Sequence, residues 1–352
     1  MTAHPRETES VIGHDTAYSE VVSAWREARF PHARLVTGPA GIGKATFVYR
    51  LAREIFTGNA ESGTFAGDDE TLIAHGEHPD LLALEPPEGG QGTQPVIKVD
   101  ETRRASRFCA MRSARSPWRI VVVDPADALN ASAANALLKD LEEPPGRVLF
   151  FLISHQPARL HATVRSRCTP IRLAPLPVAQ TASIVSTHLP GLSAGDGDLV
   201  ARLSDGAPGQ ALTLAQAHAG RLYREILATL GELPNGEPGA LPDLADRMAA
   251  DAETFAIATG LVRRWLTRVI RTAAVGHPGE ELVSGEGEGM RGLAARAHLE
   301  DWFDVWEKIA HLFDRAETSN LDKRQVLLSA MLEIEGAARG ASGRSADKRT
   351  AR

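Results

Sequence analysis

The chain has 352 residues, 43% of them apolar and 24% charged, with a formal net charge of −6. That length calls for two or three cores, and the composition is that of a globular protein rather than a disordered or membrane-spanning one. The negative balance excludes a chain-wide nucleic-acid surface, so any phosphate contact must be local or shared with other chains. Two cysteines, Cys109 and Cys168, cannot build a disulfide framework or a four-thiolate zinc site. The N-terminal MTAHPRETES lacks the apolar core of a secretory leader, which predicts a cytoplasmic protein with no membrane partner.

Apolar runs of strand type alternate with amphipathic helical segments through the first 175 residues, the pattern of a parallel α/β sheet. Strands are predicted at Arg34–Thr37, Asp80–Leu84, Arg119–Val123 and Val148–Ile153, and helices at Lys44–Phe56, Asp100–Met111 and Ala131–Glu143. The last of these aligns Ala133, Ala134, Leu137, Leu138 and Leu141 on one side and stops before Pro144–Pro145. Residues 176–216 read as a small helical lid broken at Gly206–Gly209. Residues 217–340 form an all-helical region, strongest at Ala252–Ala273, Leu299–Ala316 and Lys323–Ala337, with a loop at Gly276–Gly289. A polar basic tail, 341–352, is predicted to be disordered.

Gly38-Pro-Ala-Gly41-Ile-Gly43-Lys44 leaves a strand and opens a helix, the setting of a phosphate-binding loop. Its glycines let backbone N–H groups converge on phosphate oxygens at a helix N-terminus, and Lys44 is the β/γ-phosphate contact. The next position, where a hydroxyl would ligate magnesium, is Ala45. Thr46 comes one residue late, about 100° around the helix. Further on, Val121-Val122-Val123-Asp124 ends a strand with a carboxylate suited to holding magnesium through water. Pro125 follows, where a water-activating acid would stand, and it has no acid–base chemistry. Asp127 is three positions on and reads as a turn or cap residue before the Ala131 helix.

Four stretches share more than a general P-loop pattern. They are His32 to Thr46, Val123 to Asn130, Ala133-Ala-Asn-Ala-Leu-Leu-Lys-Asp-Leu-Glu-Glu-Pro-Pro145 and Thr163-Val-Arg-Ser-Arg-Cys168, with a thinner echo at Asn320–Leu328. Together and in this order they resemble the delta-prime subunits of bacterial DNA polymerase III clamp loaders, relatives of the gamma/tau ATPase. The resemblance implies an AAA+ α/β domain with a helical lid and an all-α collar. It also implies a stator-like subunit that is not an enzyme on its own, working within the DNA polymerase III holoenzyme.

In that family the Ser-Arg-Cys motif supplies an arginine finger in trans. Carried over, Arg167 is the finger and Ser166 its neighbour, serving the ATP of an adjacent gamma/tau-type subunit. A delta subunit, the sliding clamp and primer–template DNA are the other implied partners. Two departures stand out. Where active clamp-loader ATPases carry a sensor-2 arginine, Gly206-Ala-Pro-Gly209-Gln-Ala211 places Gly209. Where many members carry a four-cysteine zinc module, Thr57–His78 has no cysteine, and His75 and His78 lack ligand spacing, so no metal is expected. ATP can still bind such a loop, but hydrolysis is not expected and no cofactor is required. Two other readings stay open on the motifs alone: an active gamma/tau-type ATPase with Thr46 and Asp127 as substitutes, and a P-loop small-molecule phosphotransferase.

Overall fold

A computed structural model of the chain describes residues 4–8, 11–57, 68–87, 96–237, 239–319 and 321–340. The tail at 341–352 therefore lies outside the described residues. Two compact units emerge: Met1–Gly191 with Ser204–Thr213, and Leu192–Leu203 with Leu214–Arg352.

The first unit is built on five parallel strands: β1 (Ala33–Thr37), β2 (Leu81–Leu84), β3 (Arg119–Val123), β4 (Val148–Ser154) and β5 (Thr169–Arg172). Their order is β2-β3-β4-β1-β5. β3 and β4 are buried along their whole length, which is why they read as unbroken apolar runs. Alternate residues feed opposite cores. Val121, Val123, Phe150 and Leu152 pack with residues of α4 (Val99–Ala110) and α5 (Ala131–Glu142). Ile120, Val122, Leu149 and Phe151 pack on the other side with α1 (Asp15–Arg26) and α2 (Lys44–Thr57). Ala133, Ala134, Leu137 and Leu141 of α5 are buried and Leu138 is half-buried, so the stripe seen in the sequence is the core face.

Several boundaries move. α5 begins at a cap, the Asn130 side chain accepting from the Ala133 N–H at 2.8 Å, and so Asp127 is not the cap. β2 starts at Leu81, one residue later than predicted, and the buried Asp80 carboxylate just before it accepts from the backbone N–H groups of Ala114, Arg115 and Ser116 at 2.7–2.9 Å. α1, α3 (Asp69–His75) and β5 are further elements that the sequence reading did not place. α6 (Ala162–Arg165) is a single turn before β5.

The stretch 176–216 is divided between the units. α7 (Val178–His188) and the opening of α9 (Pro208–Gln216) belong to the first, α8 (Ala194–Leu203) to the second. The rest of the second unit is helical: α10 (Ala219–Gly231), α11 (Ala240–Met248), α12 (Ala252–Val275), α13 (Glu286–Ala294), α14 (Leu299–Thr318) and α15 (Lys323–Ala338). The apolar stripes at Phe255–Trp265 and Trp302–Phe313 form this unit's own interior, with Trp265, Trp302 and Phe313 fully buried. Phe303 and Trp306 of α14 stay exposed. The loop predicted over Gly276–Gly289 ends earlier than expected, since α13 begins at Glu286. Its buried carboxylate accepts from the Leu282 N–H and the Tyr223 hydroxyl and pairs with Arg268, which anchors a helix start that two glycines obscure in the sequence. Among the described residues no helix is long and apolar enough to cross a membrane.

Candidate nucleotide site and arginine motif

The carboxyl ends of β1, β3 and β4 lie side by side, the edge at which open α/β sheets bind ligands. A cavity of about 400 Å³ sits there, lined by Gly41 to Thr46, Asp124, Ile153 and His155. Residues of the N-terminal segment, of α7 and of α9 complete its wall, among them Val11, Ile184 and Gly209. The loop from Gly38 to Lys44 joins β1 to α2 as predicted, and buried His14 braces it, Nε2 donating to the Ile42 carbonyl at 3.0 Å.

Lys44 is buried, and its Nζ donates to the carbonyls of Gly38 and Pro39 at 2.8 and 2.6 Å. The ammonium is thus folded back on its own loop. Burial pulls its pKa down to about 8 against the pull of Asp124 and Asp127. Ala45 and Thr46 both reach the cavity wall, but Ala45 has no hydroxyl to offer a cation.

Asp124 closes β3. Burial, with Glu85 and Asp127 nearby, raises its carboxyl to about 6, although Lys44 opposes the shift. A carboxyl raised in the folded state adds stability at low pH that is lost as pH climbs through about 6. Asp124→Asn should therefore stabilise the protein by roughly 1–3 kcal/mol at pH 8 and by much less at pH 4. Urea denaturation at both values checks this, and a gain independent of pH would contradict it.

Asp127 lies in the 3-10 turn Ala126–Ala128 before α5, as its turn reading expects, and its side chain does more than shape that turn. Its carboxylate accepts from the Ser154 hydroxyl at 2.6 Å, from the His155 N–H at 2.6 Å and from the Gln156 N–H at 3.3 Å. It staples the segment after β3 to the end of β4. His155 is half-buried against this staple, and burial followed by the nearby Lys44 charge holds its imidazole below its ordinary pKa.

Gly209 stands against the phosphate loop. Its N–H donates to the Gly41 carbonyl at 2.7 Å, and a Cβ at 209 would lie 2.9 Å from that oxygen. Gly41 has φ +73, and a Cβ there would meet the Gln210 nitrogen at 2.7 Å. The start of α9 therefore rests on the phosphate loop, backbone against backbone, at a spacing only glycine permits at either position.

Ser166 and Arg167 are not among the residues lining the cavity. Ser166 caps α6, its hydroxyl donating to the Thr163 carbonyl at 3.1 Å. Arg167 donates through Nη1 to the same carbonyl at 2.9 Å, while Nε and Nη2 both reach Glu142 Oε1 at the end of α5. Neither partner of that pair is buried. Cys168 and Cys109 are buried in the core beside α5, with thiols pushed up to about 12 by burial. His78 stacks on Phe56 at 4.2 Å, and its Nδ1 accepts from the Asp80 N–H. Among the described residues no group of three or more His, Cys, Asp or Glu is placed to hold a metal ion.

Sequence reasoning brought together Gly41, Gly43, Lys44, Ala45, Thr46 and Asp124, and Gly38 adds its carbonyl to the same loop. It missed the staple at Asp127 and the backbone contact at Gly209, and it weighed a surface carboxylate beside Arg167 without naming it as Glu142.

The family described as "DNA polymerase III, delta subunit" matches residues 13–177. The DNA polymerase III subunit delta' of Pseudomonas aeruginosa is 36% identical over 208 residues, covering 58% of this chain and 61% of that protein. The subunit delta' of Escherichia coli is 32% identical over 250 residues, 70% of this chain and 73% of its own length. The chain thus spans a little under two thirds of the first of these relatives and nearly three quarters of the second. The subunit tau of Escherichia coli is 29% identical over 181 residues, 50% of this chain and 27% of that protein. With the P-loop sheet, the helical second unit and the Ser-Arg-Cys turn in place, this chain belongs to the delta-prime family of DNA polymerase III clamp-loader subunits.

Proposed function

We propose that this family member is a cytoplasmic, non-hydrolysing subunit of a clamp loader, one that offers Arg167 to the triphosphate of an adjacent gamma/tau-type ATPase. The observation that carries this reading is a pairing of opposites. The chain's own phosphate loop has a cradle of glycines but lacks a hydroxyl at Ala45, an acid at Pro125 and a cation at Gly209, while Arg167 stands at the surface outside that cavity. A nucleotide's phosphates fit the cradle. A bridging magnesium is held poorly, because the position after Lys44 is Ala45 and Asp124 is left as the carboxylate on the cavity wall, with Thr46 one residue late. Asp127 is held by Ser154, His155 and Gln156 and so is not free to activate water.

Arg167 suits the complementary task. A guanidinium is a fixed fork of charged donors matched to phosphate oxygens, and in other nucleotide hydrolases such a finger is worth about 10³–10⁵ in rate. The motor subunits would then bind ATP and open the sliding clamp, and hydrolysis triggered by primer–template DNA would release it. A delta subunit would complete the assembly, and this chain would contribute a fixed wall and the finger.

Magnesium-dependent ATP turnover by the purified chain, compared with turnover by gamma/tau and delta subunits with and without it, tests the proposal. The isolated chain should be inactive, and its addition should raise the rate of the assembly. Brisk turnover by the chain alone would favour the gamma/tau-type reading instead.

A further inference from the structure

We infer that Glu142 is a displaceable resting partner for Arg167, a latch that a phosphate oxygen replaces when a neighbouring subunit presents its triphosphate. The inference rests on the finger reading above and adds to it a second residue and a direction of effect.

Three observations carry it. Both the Nε and Nη2 donors of Arg167 converge on Glu142 Oε1, so the carboxylate occupies the edge of the guanidinium that a phosphate would use. Nη1 is held separately, by the Thr163 carbonyl at 2.9 Å and the Ser166 hydroxyl at 3.4 Å, which fixes the plane of the group whichever acid sits on the other edge. The pair is also open to water, with side-chain exposures of 34% for Arg167 and 49% for Glu142. Exposed ion pairs of this sort are weak. Glu142 is moreover the last residue of α5, where the helix dipole disfavours a carboxylate. A strong, buried pair would lock the guanidinium away. A weak one keeps it ordered and gives way to a more highly charged oxyanion.

The chain thereby acquires a built-in competitor for its own finger. Glu142→Gln removes the charge and keeps the size, so the fold is retained. In the reconstituted assembly, affinity for a non-hydrolysable ATP analogue should rise about two- to five-fold, the scale set by an exposed pair. The gain should vanish when Arg167→Ala is combined with it. In the isolated full-length chain, the Arg167 Nε–H resonance in ¹⁵N-detected NMR should exchange with water faster in the Glu142→Gln protein than in the wild type. An unchanged or weaker analogue affinity in Glu142→Gln, with Arg167→Ala still impairing the assembly, would overturn the latch and leave the finger standing. Unchanged Nε–H exchange would overturn it by showing that the pair does not form in solution. If Arg167→Ala alters neither analogue binding nor turnover, the finger reading fails and the latch falls with it.

Discussion

Arg167→Ala should lower ATP hydrolysis at the neighbouring site by about 10³-fold or more while leaving this chain folded and assembled. Both halves of that expectation follow from the position of the side chain. Arg167 sits after the short α6, held through Thr163 and Glu142 rather than packed in a core. Losing an exposed ion pair costs at most about 1 kcal/mol, a shift of a few degrees in a unit of this size. The catalytic loss is of another order, because a guanidinium that contacts the bound triphosphate is matched still more closely to the charge that builds up on the phosphoryl group in the transition state. Single-turnover hydrolysis in the reconstituted assembly, beside a thermal melt of the variant, measures the two together. A variant that melts far below the wild type would instead give Arg167 a structural role.

The second large effect is expected at Asp80. This carboxylate is inaccessible to solvent and accepts three backbone N–H groups from the turn at Ala114–Ser116, with Arg119 Nε 3.8 Å from one oxygen. Arg119 is itself buried, donating to the carbonyls of Phe108 and Arg112 and lying over the Phe108 ring. Asp80→Ala strands three donors and removes the counter-charge of a buried cation, a loss of roughly 3–5 kcal/mol. The unfolding midpoint should fall by about 10 °C or more. Asp80→Asn should cost less, since its amide oxygen still accepts. Chemical denaturation of the two variants ranks them, and equal stabilities would show that the carboxylate is not what holds the turn.

Asp80 also shows where sequence reading stops. Strands β1 to β4 and helices α2, α4 and α5 were legible because buried strands and one-sided helices carry their own periodicity, and the P-loop and the Ser-Arg-Cys turn because they are local motifs. Asp80, Asp127 and Glu142 act instead through partners 34–36, 27–29 and 25 residues away. No spacing rule along one chain reports such contacts. Gly209 is the instructive case. As a letter it marks only a missing arginine, whereas in three dimensions it lets α9 touch the phosphate loop at Gly41. The helix start at Glu286 was hidden for a similar reason: glycines at 287 and 289 argue locally for a loop, and a buried carboxylate network overrides them.

The central claim is that this subunit acts through a guanidinium it lends and not through the nucleotide it could hold. Steady-state ATPase of an assembly containing either Lys44→Ala or Arg167→Ala in this chain alone tests that most directly. The account predicts that Lys44→Ala stays within a factor of about two of the wild type while Arg167→Ala loses the activity of the site it serves. Loss of turnover with Lys44→Ala and wild-type rates with Arg167→Ala would contradict it.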